Sequence, residues 1–194
     1  QLSAEIIYTD FPTDMQLYGR NTTTNQALVT VSGISEGAST GSSVQLKVYR
    51  AGVIHDTKTQ TLNYQNNKAN FQLQVPITAE LVNYRFEFYT LTQSGYKLDK
   101  TAINVVAGDV YIIDGQSNAL ATQRAESASN IKSPFIRSFA SGVNNINVNN
   151  NLNWYQGNAD GSYSVNGNVG QFGIKMARLL MDQYQIPIAI FNGA

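Results

Sequence analysis

The chain has 194 residues and a formal net charge of zero, with 13 Lys and Arg against 13 Asp and Glu. No basic patch is visible, so we expect no nucleic acid partner, and no apolar stretch approaches the length of a membrane span. The absence of cysteine excludes disulfides and thiolate chemistry. With one histidine and no acidic cluster at ligand spacing, no metal or other cofactor is predicted.

The first hundred or so residues are predicted to be β-structure. Apolar and polar residues alternate along short segments separated by Gly, Ser, Thr and Asn, a pattern typical of an antiparallel sandwich. The segments are 4–9, 27–32, 43–49, 71–75 and 83–89. We therefore predict an N-terminal β-sandwich domain over residues 1–106.

From Gly108 onward the pattern predicts alternating strands and helices. The predicted elements are a buried strand over 109–113, a helix near 118–128, a strand over 134–140, a long Asn- and Gly-rich loop over 142–168, an amphipathic helix over 169–184 and a strand after Pro187. Strand, helix and strand in this order indicate a parallel sheet with right-handed crossovers. Residues 107–194 are too few for a complete sheet of that kind.

A serine follows the predicted buried strand at a turn that Gly115 opens. In such a turn the hydroxyl of Ser117 is exposed, and nearby backbone N–H groups can stabilise an oxyanion, as acyl transfer by serine requires. Serine is also a favoured helix N-cap, so the local sequence alone leaves a capping role open. Gln116 and Asn118 flank Ser117 and could hydrogen-bond the substrate or brace the turn.

The segment 108–118, Gly-Asp-Val-Tyr-Ile-Ile-Asp-Gly-Gln-Ser-Asn, resembles the nucleophile block of the sialate O-acetylesterase family. These enzymes are SGNH-type carbohydrate esterases related to a group of acetylxylan esterases. Residues 11–20 and 29–33 resemble the family's opening segment and the strand after it. Residues 169–173 and 186–194 resemble a later helix and strand, and all matches occur in family order.

The resemblance implies a fold and an activity. It implies a multidomain β plus α/β protein in which residues 107–194 are the first part of a flavodoxin-like (SGNH) parallel α/β domain. It implies that Ser117 is the catalytic nucleophile, and the position of Gln116 and Asn118 beside it makes them candidate oxyanion or substrate residues. The implied enzyme is a serine carboxylic-ester hydrolase that removes acetyl groups from sialic acid or another acetylated glycan. Independently of the resemblance, the abundance of Asn, Thr, Ser, Gly and Tyr suits an extracellular, sugar-facing protein, so we expect a secreted, periplasmic or cell-surface location.

The sequence also departs from the family pattern. Ala119 replaces the usual Met, and Asp114 stands where the family often has a small residue. In the family, a glycine-containing oxyanion loop and an Asp-x-x-His block that supplies the base follow the segment ending here at Ala194, and neither is present. We therefore expect a missing C-terminal segment or a second chain to complete the α/β domain, and the 194 residues alone to be inactive.

Three other residues are candidates on chemical grounds. His55 is the only imidazole, and its place among the predicted strands indicates an exposed structural residue rather than a base. Trp154 and Tyr155 lie in the predicted loop and could line a sugar subsite, because aromatic rings stack on pyranose faces. Since the sequence holds no other base, a non-catalytic glycan-binding protein or an inactive relative lacking the base histidine is the alternative function.

Overall fold

The computed structural model describes residues 5–37, 43–92, 94–116, 119, 131–139, 152–159 and 166–193. These residues form eleven strands and one α-helix. The elements are β1 (Glu5–Asp10), β2 (Leu17–Gly19), β3 (Gln26–Glu36), β4 (Ser43–Arg50), β5 (Val53–Thr61), β6 (Lys68–Thr78), β7 (Tyr84–Thr92), β8 (Gly95–Ile113), β9 (Ile136–Phe139), β10 (Trp154–Gln156), α1 (Gln171–Tyr184) and β11 (Ile188–Asn192).

The chain folds into two compact units that interleave along the sequence. Unit 1 consists of Gln1–Thr13, Leu28–Ile77 and Val82–Val105, and unit 2 consists of Asp14–Ala27, Thr78–Leu81 and Val106–Ala194. The domain bounds inferred from the sequence, 1–106 and 107–194, stay a prediction.

Unit 1 is built from two sheets that face each other, in which the pairs β1–β3, β4–β5, β4–β7 and β7–β8 are antiparallel. One sheet has the order β1-β3-β6, and the other contains β8, β7, β4 and β5 in that order. Every second residue of β6 is buried, so its apolar side chains line one face, as the alternation of its sequence predicts. Phe71 on β6 and Phe88 on β7 meet across the core with ring centroids 5.0 Å apart. Burial of these alternating faces holds the two sheets together.

Strand β5 is one element of unit 1 that sequence reasoning missed, as it missed the part of β8 before residue 106. Strand β5 follows β4 through a tight hairpin in which Ala51 and Gly52 both have positive φ angles, 49° and 81°. Most of its residues are exposed on both faces, because β5 is the edge strand of its sheet. A strand that buries neither face has no need of alternating hydrophobicity, and this removed the signal from the sequence.

Unit 2 contains the parallel strand pairs of the described residues. The end of β8 pairs in parallel with β2 and with β11, and β11 pairs in parallel with β9. Strand β10 then adds to β9 in the antiparallel direction. Ile188, Ala189 and Ile190 on the central strand β11 are fully buried, as expected for an apolar run inside a sheet.

Helix α1 covers one face of these strands. Its buried residues include Ile174, Ala177 and Met181, and the helix predicted in this region is confirmed. The apolar spacing that predicted it included Phe172 and Leu179, which are 44% and 63% exposed, so the predicted buried face was wrong in part. Gly173 brings the helix close to the sheet, since a Cβ there would lie 3.1 Å from Cδ1 of Ile113. The helix ends at Gln185, which adopts the left-handed conformation. Within the described part of the chain, no helix combines the length and apolar character that crossing a membrane requires.

The predicted fold class, a β-sandwich followed by the first part of a flavodoxin-like parallel α/β domain, is wrong. The described residues are mostly strand with a single α-helix, and they form no flavodoxin-like domain. Strand β8 is 19 residues long, and it pairs with β7 in the antiparallel direction and farther along with β11 in the parallel direction. Strand β10 lies within the predicted loop over 142–168, and the predicted helix near 118–128 lies outside the described residues apart from Ala119.

Candidate functional site

The candidate site lies where β8 and β11 of unit 2 end. Ile113 at the end of β8 is the register partner of Asn192 at the end of β11, and Gly193 donates its backbone N–H to the Ile113 carbonyl at 2.9 Å. Residues 114–116 follow β8 directly and are exposed. Open sheets usually bind ligands at the carboxyl ends of adjacent parallel strands, so this edge is the candidate site for ligand binding and catalysis.

The chain turns sharply after β8. The backbone N–H of Ala119 donates to the carbonyl oxygen of Gln116 at 2.7 Å. A Cβ on Gly115 would lie 2.8 Å from Cβ of Ala119, so this close approach requires glycine. Ser117 and Asn118 lie outside the described residues, and their roles stay predictions. Gln116 is described and exposed, and its side-chain role is likewise a prediction.

Asn192 ties two neighbouring segments to the end of β11. Its side-chain Nδ2 donates to the carbonyl oxygen of Ala119 at 3.0 Å and to that of Val169 at 3.3 Å. Ala119 belongs to the segment after β8, and Val169 precedes helix α1. Sequence reasoning missed this residue, and its position at the end of an apolar strand was the only signal that could have identified it.

The start of α1 is held by further side-chain hydrogen bonds. The N–H of Gly170 donates to Oδ1 of Asn168 at 3.1 Å, which satisfies a backbone donor just before the helix. Nε2 of Gln171 donates to the carbonyl oxygen of Ala159 at 2.6 Å. These hydrogen bonds and those of Asn192 hold the backbone segments next to the ends of β8 and β11 in place.

Asp109 has a structural role at the opposite end of the parallel part of β8. Arg20 grips its carboxylate with two hydrogen bonds, Nε to Oδ1 at 2.7 Å and Nη2 to Oδ2 at 3.0 Å. A third donor, Nη1, reaches Oδ1 of Asn25 at 2.8 Å. The hydrogen bond to Asp109 raises the pKa of Arg20 above its usual value, and burial, followed by the negative charge of Asp109, raises the pKa of Tyr111.

The two aromatic residues predicted as sugar contacts are adjacent on β10, so their side chains leave the strand on opposite faces. The Trp154 ring contacts the rings of Phe139 and Phe191, with centroids 5.3 and 5.7 Å apart. Tyr155 lies beside the buried Gly167 on the other face, where a Cβ on that glycine would meet Cβ of Tyr155 at 3.2 Å. Only one of the two rings can therefore belong to any single subsite on this strand.

Arg137 is the largest fully buried side chain of the described residues. It lies on β9 with 1% of its surface exposed, and Nη1 is 3.3 Å from the sulfur of Met15. Burial lowers the pKa of its guanidinium to about 10, because the apolar surroundings disfavour the charged form. Its contact with the segment before β2 is structural.

His55, the only histidine of the chain, lies on the edge strand β5 of unit 1. It is exposed, and its ring meets Tyr84 edge-on with centroids 5.6 Å apart. The candidate edge belongs to unit 2. The interpretation of His55 as a structural residue stays a prediction.

No protein-family model matches the chain, and no curated protein matches it. Among solved structures, a carbohydrate acetylesterase from Xanthomonas citri is similar, with a TM-score of 0.52 and 16% sequence identity over 97% of this chain and 40% of that one. The chain thus spans less than half of that enzyme's length. At this identity the likeness shows a shared fold. A CARDB domain from Pyrococcus furiosus, solved with di-metal ions, is 18% identical over 55% of this chain and 86% of that domain, but its TM-score of 0.31 is too low for a fold comparison.

Proposed function

We propose that this chain carries the nucleophile segment of a serine esterase that removes acetyl groups from a carbohydrate. The observation that carries the proposal is the Gly-Gln-Ser-Asn sequence at 115–118, which follows β8 where its end lies beside Asn192. The fold likeness to a carbohydrate acetylesterase supports the same class of reaction. We further propose sialic acid or another O-acetylated glycan as substrate, and a location outside the cell, in the periplasm or at the cell surface.

In the proposed reaction, Oγ of Ser117 attacks the acetyl carbonyl carbon and gives up its proton to a base. The tetrahedral oxyanion collapses, the sugar hydroxyl leaves with a proton, and the acetyl group stays on Ser117. Water then attacks the acetyl-enzyme and releases acetate. The N–H of Ala119 is already bonded to Gln116, so the oxyanion must take its backbone donors from other residues of the turn.

The proposed reaction needs a base, and we propose that His55 does not provide it. That residue is exposed on β5 in unit 1, and Tyr84 is its ring neighbour. We therefore propose that polypeptide other than these 194 residues supplies the histidine and its carboxylate, either in the same longer protein or in a second chain.

The test uses the natural protein that contains this chain, with p-nitrophenyl acetate and an O-acetylated glycan as substrates. Ser117→Ala should lower the rate of acetate release by several orders of magnitude, because it removes the nucleophile. Ser94→Ala, at an exposed hairpin serine, is the matched control and should leave the rate unchanged. A Ser117→Ala rate within tenfold of the parent would overturn the proposal.

The alternative, a non-catalytic glycan-binding protein or inactive relative, is favoured by the position of His55, since no other histidine exists in the chain. It predicts that the natural protein binds the acetylated glycan and releases no acetate. Equal binding by the parent and by Ser117→Ala, with no hydrolysis by either, would establish this alternative.

A further inference from the structure

A groove lined mainly by side-chain amides lies on unit 1, at the exposed face of the sheet β1-β3-β6. Buried and exposed residues alternate along β6, and Lys68 and Asn70 are on its exposed side. Ile34 on β3 is half-buried between two buried neighbours, so it faces the same way. The groove has a volume of about 620 Å³, and we call it the amide groove. Its lining residues are Ile34, Asn63, Gln65, Asn66, Lys68 and Asn70.

The segment between β5 and β6 forms one wall of the amide groove, and backbone hydrogen bonds hold it. Gln65 and Lys68 exchange two such bonds, at 2.8 and 3.0 Å, around a turn in which Asn66 and Asn67 have φ angles of 50° and 63°. The N–H of Gly37, directly after β3, donates to the carbonyl oxygen of Asn67 at 3.0 Å. The turn is therefore tied to the strand beside it.

Side chains outside the lining set hold the rest of the amide groove. The hydroxyl oxygens of Tyr64 and Ser35 are 2.7 Å apart and share a hydrogen bond. Gln60 on β5 bonds the backbone of β6, since its Nε2 donates to the carbonyl oxygen of Asn70 at 3.3 Å and its Oε1 accepts from the N–H of Gln72 at 2.9 Å. These bonds leave the lining amides available to a ligand, which meets walls that are already ordered.

The chemistry of the lining indicates a neutral, polar ligand. Nζ of Lys68 lies 2.6 Å from Oε1 of Glu36, so the positive charge at the groove is paired. The four amides carry no charge, and each offers both N–H donors and a carbonyl acceptor. Among the described lining residues, no unpaired charge favours an ion, and the one aliphatic side chain, Ile34, offers little contact area to a lipid.

We infer that the amide groove binds a stretch of a neutral glycan chain. A sugar hydroxyl both donates and accepts a hydrogen bond, as a primary amide does, so one amide can bond two adjacent hydroxyls of the same sugar ring. Ile34 supplies an apolar contact for the C–H groups of the ring. This inference goes beyond the proposed esterase, because it places a glycan site on unit 1 and does not depend on Ser117.

Isothermal titration of the natural protein that contains this chain tests the inference. The probes are four neutral hexasaccharides, made of β-1,4-linked xylose, mannose, glucose and galactose, and at least one of them should bind. Asn63→Ala and Asn70→Ala should each weaken that binding about three- to tenfold, because each removes hydrogen bonds to the sugar. Gln26→Ala, at an exposed amide at the start of β3, is the matched control and should leave the dissociation constant within twofold.

The two groove variants lie on different elements, since Asn63 follows β5 and Asn70 is on β6. Both side chains are exposed, and circular dichroism establishes that each variant is folded. If one variant failed to fold, the other would still decide the test. Binding of none of the four hexasaccharides by the parent would overturn the inference. Binding that neither substitution weakens would place the glycan elsewhere, such as at the proposed esterase site, and would overturn it equally.

Salt separates a neutral glycan from an anionic ligand. The dissociation constant of the neutral hexasaccharide should stay within twofold between about 0.05 and about 0.5 M NaCl, because its binding involves no charge. A sulfated heparin hexasaccharide should bind more weakly than the neutral one. Tighter binding of the sulfated hexasaccharide, lost at the higher salt concentration, would overturn the inference and make Lys68 the recognition group.

Discussion

The side chain of Asn192 joins the end of β11 to the segment after β8, through a 3.0 Å hydrogen bond from Nδ2 to the carbonyl oxygen of Ala119. The same nitrogen donates to Val169 just before α1. One amide thus fixes the backbone on two sides of the edge where Ser117 follows β8. Its two donated protons, rather than its size, are what the site requires.

Asn192→Asp should destabilise the protein, because a carboxylate of the same shape has no proton to donate and would face two carbonyl oxygens. We expect a loss of about 1–3 kcal/mol in the free energy of unfolding. Urea denaturation followed by circular dichroism measures it. Asn70→Asp, at an exposed position on β6, is the control and should change stability little. Equal effects of the two substitutions would contradict the bridging role of Asn192.

Gly108→Ala should be far more damaging than Gly19→Ala, although the two glycines are register partners on β8 and β2. A Cβ on Gly108 would overlap the carbonyl oxygen of Pro187 and lie 2.7 Å from its carbonyl carbon, which forces β8 and the start of β11 apart. We expect a loss of about 3 kcal/mol. A Cβ on Gly19 meets no atom within 4 Å, so that variant should stay within about 0.5 kcal/mol of the parent.

Thermal denaturation of both glycine variants checks this prediction. If Gly108→Ala and Gly19→Ala had the same melting temperature, the close approach between Gly108 and Pro187 would not exist in solution.

Asp109→Asn should weaken the hold of Arg20 on β8. A neutral amide offers one acceptor where the carboxylate offers two, and the pair is half-buried, with 18% and 22% of the side-chain surfaces exposed. We expect a loss of about 1.5 kcal/mol. Asp182→Asn removes the exposed pair with Arg178 and should cost under about 0.5 kcal/mol. Chemical denaturation of both variants at low salt compares them, and a smaller loss for Asp109→Asn than for Asp182→Asn would contradict the prediction.

The same pair predicts that the contribution of Arg20 to stability does not change between neutral and mildly alkaline pH. The hydrogen bond to Asp109 raises the pKa of Arg20 above its usual value, so the arginine side of the pair contributes its full stability at every pH below the unfolded-state pKa. Arg20→Lys should therefore lower stability by a similar amount at neutral and at mildly alkaline pH. A loss of stability that appeared only below or only above neutral pH would mean that another titratable group controls this contact.

His55→Gln should leave the proposed esterase activity nearly unchanged, because His55 is exposed on the edge strand of unit 1 with Tyr84 as its ring neighbour. The rate of p-nitrophenyl acetate hydrolysis by the natural protein is the measurement, with circular dichroism to establish folding. A hundredfold loss in a folded variant would make His55 the base, and the proposal of a base outside this chain would fall.

The local sequence determined the elements in which buried and exposed side chains recur at the period of a strand or a helix. Strand β6 alternates buried and exposed residues along its length, and α1 repeats buried residues at helical spacing, so each carries its own signal. The sharp turn after β8 was also predictable, since Gly115 follows an apolar run. These features depend on residues within about a dozen positions of one another.

Tertiary structure alone decided which strands became neighbours and in which direction. Strand β5 buries neither face, and β2 and β10 are three residues each, so they exist because partners pair with them. The change of pairing along β8 and the reach of Asn192 to Ala119, 73 residues away, follow from where distant segments meet. A pattern of burial records that a side chain is covered. It does not indicate which element buries that side chain. For this reason the predicted flavodoxin-like domain was wrong, while the predictions of a strand at β6 and of helix α1 were confirmed.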